Sequence, residues 1–208
     1  LAGAMAVSLL SACGGNSQPQ NIADVSSAAS ELASAVTSAE PAAQEMTFVL
    51  NNIPDGLDPT VTNNSFAQYV ILNCFEGLVT YDSTGAVVPG SAETWDISDD
   101  GLTYTFHLRQ GAKWVDSQGR EVGEVKADDF VAGMQHMMDV MGGLEYLIEG
   151  IIVNASEYIS GDVTDFAEVG VKAVDDYTVE YTLCQPTSYF MTMLGYNVFA
   201  PMCRSYYE

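Results

Sequence analysis

Apolar and polar residues alternate most cleanly in Leu102–Leu108. Leu102, Tyr104, Phe106 and Leu108 fall on one face, and Thr103, Thr105 and His107 on the other. A period of two predicts a strand with one buried face. The Ser98-Asp99-Asp100-Gly101 turn before it, with Trp95-Asp96-Ile97 upstream, makes it half of a hairpin. Leu78–Tyr81 and Ala86-Val87-Val88 flank a second turn, Asp82-Ser83-Thr84-Gly85. Val169–Val174 and Tyr177–Leu183, joined by Asp175-Asp176, read as a further hairpin. Two short apolar runs, Met46–Asn51 and Asn197–Ala200, are expected as strands, the first stopped by Pro54 and Gly56.

Helical spacing takes over elsewhere. Thr62-Asn63-Asn64-Ser65 supply capping side chains ahead of Phe66, Tyr69, Val70, Asn73 and Cys74, with Gly77 placed as a C-cap. Asp128 and Asp129 open a helix running to about Met141, where acidic residues suit the helix dipole. Phe130, Met134, Met137, Met138 and Met141 form its apolar stripe, read as core in preference to an adaptable binding surface. A second helix is expected over Glu145–Ile159, ending at Ser160-Gly161. Pro186-Thr187-Ser188 begins a short one through Tyr189–Leu194.

The two ends of the chain read as cut, since it begins at Leu1 and stops at Glu208 within an aromatic stretch. Leu1–Ala12 is small, apolar and uncharged, like the h-region of a secretory signal, and too short to span a bilayer, which takes about 20 apolar residues. It runs into Leu10-Ser11-Ala12-Cys13-Gly14, which resembles the bacterial lipobox. That resemblance implies lipidation of Cys13 and an anchored protein on the extracytoplasmic face of the cell membrane, facing the periplasm or the exterior. One acyl chain holds a protein only marginally, so stable anchoring takes two. Residues 13–44, rich in Ser, Ala, Gln and Glu, read as a flexible tether, with a short helix through Ile22–Val36 as the alternative. As a random coil they would reach roughly 30 Å. The body, residues 45–208, is long enough for a domain core.

Charge and candidate chemistry narrow the function. With 28 acidic and six basic residues the net charge is -22, which argues against a nucleic-acid or anionic-membrane surface. Beyond Cys13, the thiols Cys74, Cys184 and Cys203 lack CxxC spacing. They are read as isolated and buried, with a Cys184–Cys203 disulfide as the alternative. His107 and His136 have no metal-ligand spacing. The turn at Asp96–Gly101 begins like a calcium-binding loop but places His107 where a glutamate is needed. No P-loop, Rossmann or G-x-S-x-G motif is present. No catalytic residue, cofactor or metal is assigned, and the reading is a binder, not an enzyme.

A series of blocks points further: Leu57-Asp58-Pro59; Phe75-Glu76-Gly77-Leu78-Val79; Val88–Trp95; Ser98–Arg109; Ala112-Lys113-Trp114; Ala127–Val131; and Val169–Glu180, with Pro186 and Tyr189-Phe190. In this order they resemble the family 5 extracellular solute-binding proteins, which serve ABC importers of oligopeptides, dipeptides and nickel, most of all the oligopeptide branch. The resemblance implies an α/β fold, mixed in this chain, of the periplasmic-binding-protein-like type II. It has two lobes and an inserted extra domain: residues 47–72 and 166–208 in lobe one, about 73–165 in the extra domain, the second lobe downstream. It also implies a peptide ligand held by main-chain hydrogen bonds, and an ABC permease with its ATPase subunits as partners. The loop after Leu-Asp-Pro borders the ligand in that family, which makes Asn63, Asn64 and Ser65 the candidate contacts. Relatives often carry aromatic residues at the positions of Ala132 and Met134, so these two are expected to alter the pocket wall. The stretch 115–129 is longer than usual and is expected to change only a surface loop. Nickel complexes or oligosaccharides, or a peptide-sensing or chaperone-like role without transport, are the alternatives.

Overall fold

The structure, a computed structural model, describes Thr47 and residues 49–207. The signal-like segment, Cys13 and the tether lie outside the described residues. Residues 49–208 form one of the two units into which the chain divides.

The alternating segment becomes β4 (Thr103–Leu108), with every second side chain buried: Tyr104, Phe106 and Leu108. It lies inside a four-stranded antiparallel sheet between β3 (Ala92–Ile97) and β8 (Thr178–Thr182), and β8 pairs with β7 (Val171–Asp175). The order β3-β4-β8-β7 places Trp95 opposite Phe106, and Phe106 opposite Val179. Phe106 is fully buried and meets the Tyr181 ring edge-on at 6.1 Å and 90°. Burying a side chain of that size contributes about 1.5–3 kcal/mol. Two smaller hairpins flank the sheet: β1 (Val79–Tyr81) with β2 (Val87–Pro89), and β5 (Lys113–Val115) with β6 (Glu121–Glu124).

Helix α1 (Ser65–Cys74) starts at Asn64, whose side chain accepts from the amides of Phe66 and Ala67. Helix α2 (Ala127–Val140) packs on β7 and β8. Its Phe130, Met134, Met137 and Met138 join the core as the stripe predicts, whereas Met141 caps the helix in the left-handed region (φ 52°) and stays exposed. Short helices α3 (Ala155–Ser160), α4 (Phe190–Met193) and α5 (Arg204–Tyr207) complete the chain.

Several expectations are corrected. Glu145–Ile159 is not one helix: a 3-10 turn at Glu145–Leu147 is separated from α3, because Gly150 (φ 68°) and Asn154 (φ 57°) are left-handed and a right-handed helix cannot pass through them. Asn197–Ala200 is not a strand. Asn197–Phe199 is a buried 3-10 turn, and the Asn197 side-chain amide donates to the carbonyl of Pro59 at 2.6 Å. Among the described residues of Met46–Asn51 none lies in a strand, and no described strand pairs with them. Gly77 is not the cap of α1. The helix ends at Cys74, Phe75 leaves in an extended conformation, and a Cβ at Gly77 would sit 3.3 Å from the Leu194 carbonyl. The three described cysteines are free, and Cys74 and Cys184 are exposed, not buried.

Candidate functional site

A groove of about 690 Å³ opens where five segments meet: the Leu57-Asp58-Pro59 loop, the end of α1, the β5–β6 hairpin, His136 of α2, and residues 201–203 after the buried turn. That size is within the range of solute pockets. Its apolar wall comprises Phe75, Trp114, Val115, Val122, Pro201 and Met202. Phe75 and Trp114 pack edge to face, with ring centroids 6.2 Å apart at 67°, an arrangement that suits the opposite charge of ring face and ring edge.

Polar groups sit at its rim. Asp58 folds its own loop, with Oδ1 accepting from the Thr60 amide (3.0 Å) and hydroxyl (2.8 Å). Its Oδ2 lies 2.8 Å from Nε2 of His136, which projects from α2 and is mostly buried. The contact of this loop with the end of α2 is close, since a Cβ at Gly142 would come within 2.5 Å of Val61. Asp116 accepts from the amides of Gln118 and Arg120 and from the Arg120 guanidinium. These bonds, the Arg120 amide first and its guanidinium next, hold the Asp116 carboxyl below the usual carboxylate range. Trp114 donates its indole N–H to Asp129 Oδ2 at 2.8 Å.

The sequence candidates lie beside this groove. Asn64 is occupied in capping α1, Ser65 is its exposed first residue, and Asn63 lines a separate depression of about 290 Å³ with Asp55, Gly56 and Thr62. Asp58 belongs to the rims of both. Two expectations are corrected here. Ala132 and Met134 are buried and do not line the groove, because neighbouring elements cover this part of α2 on more than one face. The long stretch 115–129 is not only a surface loop: it forms β6 and supplies Val115, Asp116, Ser117 and Val122 to the groove. His107 pairs with Asp96 on the exposed side of the sheet, 2.9 Å away. Among the described residues no group of three or more His, Cys, Asp or Glu side chains is arranged to hold a metal ion.

Sequence reading missed Asp58–His136 and Trp114–Asp129 as pairs. The available signals were an acid between Leu and Pro, and a lone histidine inside a methionine stripe.

The model of the bacterial extracellular solute-binding proteins, family 5 Middle, matches residues 86–204. The chain is 43% identical over 155 residues to the oligopeptide-binding protein AmiA of Streptococcus pneumoniae, covering 74% of this chain and 24% of AmiA. It is 39% identical over 181 residues to YgiS of Escherichia coli, named a probable deoxycholate-binding periplasmic protein, covering 85% and 33%. The structure of Haemophilus influenzae OppA in complex with RPPGFSPFR superimposes with a TM-score of 0.65 at 35% identity, over 73% of this chain and 29% of that one. The chain thus spans about a quarter to a third of the length of these relatives.

Proposed function

Because the chain belongs to the bacterial extracellular solute-binding proteins of family 5, we propose that it is part of a carrier that captures oligopeptides outside the cytoplasm and delivers them to an ABC permease and its ATPase subunits. The observation that carries this reading is the apolar groove walled by Phe75 and Trp114, in a chain whose relatives include proteins named for oligopeptide binding. A roomy apolar wall accepts varied side chains, while affinity comes from the peptide main chain. Capture then works by population shift: a ligand touching both lobes favours the closed state by its differential affinity for that state. Asn63, Asn64 and Ser65 border the ligand in this reading, and the extra domain spans about 73–165. Cys13 bears the lipid that keeps the carrier beside the membrane.

A second reading, an amphipathic bile acid as the solute, is favoured by the name of the E. coli relative and by the apolar groove.

The test is a thermal-shift screen of the intact protein against peptides of two to about ten residues, deoxycholate, nickel chelates and oligosaccharides. A true ligand at 100 times its Kd stabilises by about 2.7 kcal/mol. Stabilisation by peptides is expected. No shift with any peptide, or a shift with deoxycholate alone, sinks the peptide reading.

A further inference from the structure

We propose that Asp129 is the positioning residue of the groove, fixing the Trp114 indole and the Met202–Arg204 segment in one arrangement. This rests on the reading that the groove receives the solute. The Asp129 side chain is buried, and donors from three separate parts of the chain converge on it. Trp114 Nε1 (2.8 Å) and the Lys126 amide (2.9 Å) donate to Oδ2, and the Arg204 amide (2.9 Å) donates to Oδ1. The backbone carbonyl of Asp129 also accepts from the Met202 amide at 2.9 Å. Capping α2 needs only the bond from Lys126. The other two reach the β5–β6 hairpin, which carries Trp114 into the groove, and Arg204, which directly follows the 201–203 wall that carries Met202.

Only a carboxylate meets this set. It has two acceptor oxygens and no donor, whereas an asparagine has one oxygen and would turn an NH2 toward an incoming N–H. Packing supports the hold: a Cβ at Gly133 would lie 2.5 Å from the Ala200 carbonyl, so α2 runs directly against the chain entering that wall. The neighbouring Asp128 adds an ion pair to the Arg204 guanidinium at 2.7 Å but does not reach Trp114.

The intact protein tests this by hydrogen–deuterium exchange. Asp129→Asn is expected to raise exchange at least tenfold in peptides covering both 113–124 and 200–205, leaving the β3-β4-β8-β7 sheet unchanged. Asp128→Asn is expected to affect 200–205 alone. An Asp129→Asn variant that leaves either segment unmoved, or loosens the sheet equally, overturns the proposal. If that variant does not fold, Asp129→Glu must still loosen both segments, because an added methylene misplaces the acceptors. For any solute found in the thermal-shift screen, Asp129→Asn and Trp114→Phe should each weaken binding about tenfold, and the double variant by clearly less than the product of the two. Losses that multiply overturn the positioning role. A wild-type protein that binds no solute defeats the proposed function, while the exchange pattern still decides whether Asp129 fixes both segments.

Discussion

The Tyr181 hydroxyl is buried among Phe106, Phe190 and Tyr104, with no hydrogen-bond partner among the described residues. Burial alone pushes its pKa well above the ordinary tyrosine value. An unpaired buried hydroxyl costs about 1–3 kcal/mol. Tyr181→Phe is therefore expected to unfold in urea at the same or a higher midpoint, with a gain of about 1 kcal/mol, and a clear loss would show that the hydroxyl is paired. Asp82 carries a different prediction. Its carboxylate accepts from the Thr84 hydroxyl and from the amides of Thr84 and Ala86, and these bonds, the hydroxyl first, lower its pKa. A folded pKa below the unfolded one means that the unfolded chain binds the proton first, so the turn's contribution is present at neutral pH and lost as pH falls through the folded value. The stability deficit of Asp82→Asn, measured by urea unfolding, should be present at pH 7 and vanish below the usual carboxylate range.

Helix α2 contacts the chain beyond it through a glycine. With a Cβ at Gly133 only 2.5 Å from the Ala200 carbonyl, Gly133→Ala must push the two segments apart, at about 1–3 kcal/mol, as overpacking generally costs. The expected result is a lower melting temperature in scanning calorimetry. An unchanged value would mean that the segment yields freely. Elements of this kind were legible in the sequence wherever the signal is local. The alternation in β4, the turn at Asp100-Gly101 and the stripe Phe130, Met134, Met137, Met138 reappear in the structure. The failures share a physical cause. Residues 145–159 have helix-compatible spacing, but the left-handed backbone at Gly150 and Asn154 is set by packing, as Ile152 bridges to Leu183. Apolar Asn197–Ala200 looks like a strand until Asn197 is seen binding the loop at Pro59, 138 residues earlier. The groove was the least legible part. Its polar pairs are separated by 78 residues for Asp58 and His136 and by 15 for Trp114 and Asp129, and no periodicity reports such contacts.

Across the whole molecule, the anchor proposed at Cys13 separates from everything the body does. Cys13→Ala should move the intact protein from the membrane pellet to the soluble fraction while leaving its thermal-shift response to peptides unchanged. Retention in the pellet would refute the anchor. The sheet that organises the body has a consequence in time. β4 acquires its first neighbour, β3, through a five-residue turn, but its second, β8, lies about 70 residues further along the chain. At a synthesis rate of about 5–20 residues per second, several seconds pass before that strand emerges, and closing so long a loop is slow in its own right. Throughout this interval β4 has only β3 to pair with, so the half-finished sheet cannot complete its ladder and its other edge stays open.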